Sequence, residues 1–422
     1  MSLNPRGNFE ISEGNVENKQ KSDQKSDPEN KSWYVVIVLC LALFMNGKTW
    51  MTFEAVSNQT QMHFKINENS VHSFFIIFLM TFALCALPCI IIYQKIGLRN
   101  TLICGCTLNF MGNVFRAFSC TVIDGNEKAG FTLALMGCII HGAASSCIFG
   151  LPIMISSIWT GWKDLNFLTS VPLISSYFGI GVGYLDIFVL MNGSSDMDEI
   201  RQSFVMLFIH DVIICCLCIG MSFILVPKDP IRPNKGEETN STEPRTHSLE
   251  YLMRKTLEET SKFLKTDYGT FGLVAFVLNY GNFMMMLMYL SEIVTLKSEL
   301  SGRTGYIGSS GIVIGGIIAL FVGFYTQSIR CNKNVIFAIM VNGFSTISAI
   351  SIKILFNQHE FRAISAMLFV VISIALCPLF MTVGHEMLPP PQKGNRPCFI
   401  YNSCIYFRKS DWSSSTSYFY SD

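Results

Sequence analysis

The chain has 422 residues, half of them hydrophobic and only 14% charged, with 31 basic and 30 acidic side chains giving a formal net charge of +1. With 34 Phe and 21 Met among them, these residues carry more apolar surface than a soluble fold of this polarity could keep from water. A near-neutral chain without a basic stripe offers nothing to nucleic acid, and the composition places it in a membrane as an all-α polytopic protein.

In chain order, residues 1–32 are polar, rich in Lys, Asn, Ser and Glu, and hold no apolar signal region, so they read as a disordered cytoplasmic tail. Ten segments of about bilayer length follow, predicted at 33–57, 72–94, 99–122, 130–159, 164–190, 203–226, 268–294, 305–327, 333–356 and 361–384. A polar loop over 227–266 divides them, leaving a six-helix bundle over 33–226 and an incomplete four-helix bundle over 267–384. Inside that loop, "HSLEYLMRKTLEETSKFLK" (247–265) spaces Leu249, Leu252, Met253, Leu257 and Phe263 as an amphipathic helix suited to a membrane surface. Residues 385–422 form a divergent tail with too short an apolar run to cross.

Orientation follows from the basic residues near span ends. Lys95, Arg99, Lys163, Arg330 and Lys333 fall on the side of the amino terminus and the central loop, which makes that side cytoplasmic. The sequons at Asn58 and Asn192 then lie outside, as glycosylation requires, and those at Asn30 and Asn240 lie idle inside. The plasma membrane is the expected location.

Most of the 15 cysteines, among them Cys85, Cys89, Cys104, Cys106 and Cys138, sit within spans as small packing residues. Cys215 and Cys218 have no second pair and no histidine at zinc spacing, so neither a metal nor a cofactor is expected. Gly179, Gly181 and Gly183, with Gly308, Gly311, Gly315 and Gly316, mark faces where helices approach closely. Pro88, Pro152, Pro172 and Pro378 lie inside or near span ends as candidate kinks. No Walker loop, GxSxG elbow or HExxH site appears, so the chain is not expected to be an enzyme.

The first span ends in "FMNGKTWMTFEAVSN" (44–58). On one continuous helix, Asn46, Trp50, Phe53, Glu54 and Ser57 share a face, and Lys48 points roughly 160° away from Trp50. Lys48 and Asp211 sit at similar depths in spans one and six, which predicts a buried ion pair. His141, His210 and Glu292 are further polar groups in the spans, available for proton relay or for hydrogen bonds between helices. Arg116, near the outer end of span three, is expected to snorkel toward the interface.

Several motifs together resemble the feline leukaemia virus subgroup C receptor family of the major facilitator superfamily. "IFGLPIMISSIWTGWKD" (148–164) matches that family's fourth-span segment through Gly150, Leu151, Pro152, Trp159, Gly161 and Lys163. In register with it stand Asn46, Trp50, Ser57 and Asn58 in span one and Gly97-Leu98-Arg99 after span two. Leu108, Asn109, Gly112 and Arg116 agree in span three, and "GIGVGYL" (179–185) in span five. Gly305, Ile307, Gly308 and Gly315 fit span eight, and Glu386 with Pro390 fits the stretch after span ten. The resemblance covers about residues 33–391.

It implies a twelve-span carrier of two six-helix bundles, of which two spans are absent here, and a gate region built on Gly97, Arg99, Gly150, Pro152, Trp159 and Lys163. It implies small amine substrates such as choline or ethanolamine, with haem also proposed for some members. The first-span tryptophan, here Trp50, lines the substrate path, and an aromatic face suits a quaternary ammonium. Glu54 stands where the family has a neutral residue and would add a counter-charge. Tyr177 aligns with a family glutamine and Met284 with a family tyrosine, flanked here by Tyr280 and Phe283. Gln94 replaces the family's acidic residue after span two, and Met154 the arginine after GLP. Two readings follow: a carrier of choline-like amines by alternating access, or a truncated membrane receptor or scaffold that does not transport. Trp50 and Glu54 likewise stand either in the substrate path or as anchors at the membrane interface.

Overall fold

The computed structural model describes residues 28–121, 126–152, 165–191, 196–227, 249–265, 267–289, 304–326 and 359–375. In chain order the helices are α1 (Pro28–Lys48), α2 (Ser57–Phe64), α3 (Glu68–Thr121), α4 (Glu127–Ile148), α5 (Leu165–Met191), α6 (Met197–Leu225), α7 (Leu249–Leu264), α8 (Asp267–Met288), α9 (Thr304–Thr326) and α10 (His359–Ala375). No strand occurs among the described residues. The expected span at 333–356, the sequons at Asn192 and Asn240, and Trp159, Gly161, Lys163, Glu292, Glu386 and Pro390 lie outside them.

Five of the described segments are long and apolar enough to cross a bilayer, within α3, α4, α5, α6 and α9. Leu84, Ile224, Phe321 and Phe324 point outward, whereas Asn46, Lys48, Glu54, Asn113 and Arg116 are buried. Large apolar side chains outside and polar ones inside are what a hydrocarbon solvent selects, since only groups paired within the protein tolerate that depth. The chain is a multi-pass membrane protein.

Two breaks depart from the expected spans. The first span does not run as one helix to residue 57: α1 ends at Lys48, and residues 49–56 are turns leading into α2. The cause is local. The Thr49 amide bonds to the Asn46 carbonyl and the Trp50 amide to the Gly47 carbonyl in the tighter i→i−3 pattern, while the Thr49 hydroxyl donates to the same Asn46 carbonyl at 2.7 Å. The second break joins the expected second and third spans into α3, interrupted at Gly97 with φ 80° and ψ 176°. That conformation is essentially restricted to glycine and lets the chain turn between two spans without a loop.

Elsewhere the boundaries follow from caps. The Asn126 side chain accepts from the Ala129 amide to start α4, and Asp196 does the same for the Asp198 amide at α6. The helical run of α4 stops at Ile148, short of the expected residue 159, with Phe149 as its cap. α10 ends at Ala375. In α7, Met253 and Leu257 face outward while Thr256 is buried, and the Lys262 ammonium 2.8 Å away holds the Glu258 carboxyl below the usual carboxylate range.

α5 packs against α1 through Gly179 and Gly183 and against α9 through Gly181. A Cβ on Gly179 or Gly183 would strike the carbonyls of Phe44 and Lys48, so these glycines let α5 and α1 meet backbone to backbone. Gly181, on the other side of α5, receives Ile312 and Val313 of α9, and Gly316 of α9 receives the Phe178 ring. The alternation in "GIGVG" therefore serves two neighbours. Gly311 and Gly315 open the opposite face of α9 to Met367 and Val371 of α10.

Gly97→Ala is expected to cost about 1–3 kcal/mol through backbone strain. Gly220→Ala, on α6 with open space around it, should instead be neutral or stabilise by up to about 1 kcal/mol. Apparent melting temperatures of the two detergent-solubilised variants check both signs.

Candidate functional site

Asn46 is the hub of a buried polar network. Its Nδ2 donates to Asn109 Oδ1 at 2.8 Å, and its Oδ1 accepts from Trp50 Nε1 at 3.0 Å and from the Ser145 hydroxyl at 2.6 Å. Asn109 in turn lies 3.4 Å from His141 Nδ1 and donates to the Ala42 carbonyl at 3.4 Å. One amide thus ties α1 to both α3 and α4 and fixes the plane of the Trp50 indole. His141 serves as a hydrogen-bonding group between helices, with Nε2 left without a partner.

Trp50 and Glu54 are each only 2% exposed, so both look into protein and not into lipid. Trp50 packs against Phe78 at 5.2 Å and Phe149 at 6.1 Å. The same packed cluster contains Tyr177, Phe283 and Met284, with Tyr280 against its edge. Tyr177 and Phe283 meet edge to face at 5.7 Å across the two halves, and the Tyr184 hydroxyl donates to the Leu287 carbonyl at 2.7 Å. Asn46, Trp50, Glu54, Tyr177, Phe283 and Met284 are all brought into this interior, while Tyr280 is partly buried. The shared helical stripe expected for them is replaced by the turn at residues 49–56.

The buried Glu54 carboxyl accepts from the backbone amides of Glu54 and Phe75. Its Oε1 has no hydrogen-bond partner, and no ion pair reaches it among the described residues. The Arg116 charge acts on it through space. The expectation that Arg116 snorkels is corrected: the side chain is 2% exposed and points inward. Its Nη1 donates to the Thr49 carbonyl at 2.8 Å, Nη2 donates to Cys138 Sγ at 3.3 Å, and the guanidinium lies 5.2 Å from the Phe53 ring centroid. A carbonyl freed by the end of α1 and an aromatic face together hold the guanidinium away from the interface.

Lys48 Nζ lies 2.8 Å from Asp211 Oδ1 and 2.8 Å from Asp186 Oδ2. Lys48 is 3% and Asp211 1% exposed. His210 Nδ1 lies 3.5 Å from the ammonium.

Of the other residues singled out from the sequence, Gly97 makes the turn within α3, and Arg99 Nη2 donates to the Phe223 carbonyl near the end of α6 at 2.8 Å. Gly150 is exposed and Pro152 buried just past the end of α4. Asn58 is exposed, while Thr60 of its sequon is buried and donates to the Phe53 carbonyl at 2.9 Å. Cys215 is not in purely apolar surroundings, since Asn113 Nδ2 donates to its sulfur at 3.4 Å. No group of His, Cys, Asp and Glu among the described residues is arranged to hold a metal ion. Sequence reasoning missed Asp186, Ser145, Phe78 and Tyr184; only Asp186 left a signal, as an acid inside the apolar run "GYLDIFVLM".

Helices with outward-facing apolar side chains and a polar-aromatic interior define a polytopic helical membrane protein. The chain belongs to the major facilitator superfamily, whose family model matches residues 36–407. It is 22% identical over 376 residues to an uncharacterized MFS-type transporter of Caenorhabditis elegans, covering 87% of this chain and 60% of that protein. It is 23% identical over 298 residues to the human choline/ethanolamine transporter FLVCR2, covering 68% of this chain and 54% of that one. The chain therefore spans between half and two thirds of the length of these relatives, and the FLVCR names agree with the resemblance carried by the GLP and first-span motifs. Among solved structures it superposes on the fucose:proton symporter of E. coli with TM-score 0.59 at 13% identity, covering 87% of this chain and 86% of that one. The xylose transporter of E. coli gives TM-score 0.59 at 14% identity, with 92% and 91% covered.

Asn46→Leu removes the partner of Trp50 Nε1 and of Asn109 at once. It is expected to cost about 1–3 kcal/mol for each polar group left unpaired, read as a lowered melting temperature of the detergent-solubilised protein. Arg116→Met should destabilise by a similar amount by stranding the Thr49 carbonyl.

Proposed function

We propose that the chain carries a small organic amine of the choline or ethanolamine class across the membrane, by alternate exposure of a site between its two halves. The observation that carries this reading is the burial, within five residues of chain, of the Trp50 ring and of the Glu54 carboxyl, whose Oε1 lacks a hydrogen-bond partner. A quaternary ammonium cannot donate hydrogen bonds. It is held by aromatic faces and by an anion close enough to balance its charge.

The division of roles follows from the contacts. Asn46 holds the Trp50 indole in place, and Glu54 supplies the counter-charge. Tyr177 with Phe283, and Tyr280 beside them, form the part of the wall shared between halves, so an amine lodged there touches both. Met284 supplies a polarizable apolar surface where a tyrosine stands in the family resembled. The names of the FLVCR relatives support the amine class, and the aromatic set supports a cation over a sugar or an anion. A plasma-membrane location with the amino terminus inside belongs to the same reading, as do gating roles for Gly97, Arg99, Gly150 and Pro152.

Uptake of labelled choline by cells expressing the full chain tests it. Trp50→Ala should weaken apparent affinity about 30-fold, corresponding to about 2 kcal/mol for a desolvated cation–π contact, and Glu54→Gln by about tenfold. Trp50→Phe should lie between wild type and alanine. Absence of choline and ethanolamine uptake despite surface expression would overturn the reading.

A further inference from the structure

Several buried cysteines rest against a polar group that is not a thiol. Cys106 meets the Ser222 hydroxyl at 3.5 Å, Cys120 the Ser119 hydroxyl at 3.7 Å, Cys138 the Arg116 guanidinium at 3.3 Å and Cys215 the Asn113 amide at 3.4 Å. One place differs. Cys89, in the first part of α3, and Cys147, in the last turn of α4, stand sulfur to sulfur at 3.3 Å. Cys104, in the part of α3 beyond Gly97, bonds to the same Cys147 thiol. Packing alone would be served equally by Ala or Ser, whereas sulfurs in contact have a reaction that those residues lack. The amine reading makes no use of them.

The pair has little room to part. A Cβ on Gly105 would lie 2.3 Å from Ile148 Cγ1 and 3.3 Å from Cys147 Cβ, so the end of α4 is already seated on the backbone of α3. From 3.3 Å the two sulfurs need to approach by about 1 Å to reach bonding distance. Cys89 and Cys147 are buried, and Cys85 and Cys104 beside them are half-buried. Cys85 stands one turn before Cys89 on the same helical face. The cluster lies about 10–12 Å along the helices from the turn at Gly97, a depth that favours an oxidant soluble in lipid over an ionic one.

We propose that Cys89 and Cys147 form a reversible redox staple: an apolar hydroperoxide oxidises the pair to a disulfide that ties the first part of α3 to the end of α4, and a dithiol reopens it. The Cys89 sulfur attacks the terminal oxygen of the hydroperoxide. An S–O bond forms, the O–O bond breaks, and the alcohol leaves with the thiol proton. The Cys147 sulfur then attacks the sulfur of that sulfenic acid. The S–S bond forms, the S–O bond breaks, and the hydroxyl leaves as water with the Cys147 proton. Two thiols together lose two electrons, and the hydroperoxide gains them in becoming one alcohol and one water. The consequence comes from position: Phe149, just past Cys147, packs against Trp50 at 6.1 Å and against Phe82 of α3 at 5.8 Å. The staple fixes the helix end that bears one ring of the Trp50 surroundings, whatever substrate they take.

The test uses the full chain in lipid vesicles, treated with cumene hydroperoxide, then alkylated and digested for mass spectrometry. Peptides bearing Cys89 and Cys147 should appear joined and should part again with dithiothreitol. Cys89→Ser should abolish that joined species, whereas Cys215→Ser, whose thiol faces an amide, should leave it. Oxidation should raise the apparent melting temperature of the wild type by several degrees and leave that of Cys89→Ser unmoved. Cys89 and Cys147 both found alkylated after oxidation overturn the proposal, as does Cys147 joined only to Cys104. The wild-type masses decide alone should a variant fail to fold. Hydrogen peroxide added to the aqueous phase should join the pair several-fold more slowly, and equal rates would overturn the lipid-borne source of the oxidant.

Discussion

A polar group placed at membrane depth must find its partner inside the protein, and in this chain that requirement converges on the end of α1. Asn46, Lys48, Thr49, Trp50 and Glu54 are all buried within nine residues of chain. Each is directed to a different neighbour: Asn46 to α3 and α4, Lys48 to α5 and α6, and the Thr49 carbonyl to Arg116. A regular helix could not point five polar side chains at partners on so many sides. The turn at residues 49–56 is therefore the geometry that satisfies most of these groups, Glu54 Oε1 excepted, at the expense of a few intrahelical bonds.

Close approach makes the rest possible. The carbonyls of Phe44 and Lys48 sit where side chains on Gly179 and Gly183 would be, so α1 and α5 are nearer to one another than ordinary residues allow. That proximity brings Asp186 within 2.8 Å of Lys48 and sets Tyr177 and Tyr184 of α5 in the aromatic interior beside Trp50. Because Gly181 looks the other way, onto α9, the same helix that holds α1 also carries the contact with the second half. The same helix thus packs against the aromatic cluster, the ion cluster and α9.

Two electrostatic environments result near the end of α1. Toward Trp50, a carboxylate without an ion-pair partner lies among aromatic rings, which is a setting for an organic cation. Toward Lys48, a carboxylate pair shares one ammonium. Arg116 stands between them through its bond to the Thr49 carbonyl, and its field reaches both Glu54 and Asp211.

Membrane class, helical character and the glycine faces were legible from composition and short-range pattern, because hydropathy and small-residue spacing are properties of single segments. The short motifs around GLP and Trp50 were legible as a family resemblance, and residues 36–407 do match that superfamily. The turn after Lys48 was not legible, since its cause is a set of partners on α3, α4, α5 and α6 that no local periodicity records. Arg116 shows the same limit: its sequence position near a span end predicts a snorkelling side chain, and only the carbonyl freed at Thr49 and the Phe53 ring turn it inward. What the sequence by itself determined is which residues are too polar for lipid. Which of them meet, and that Asp186 joins Lys48 as a second carboxylate, was decided by tertiary packing, because pairing depends on how closely glycine lets helices approach and not on the order of residues along any one of them.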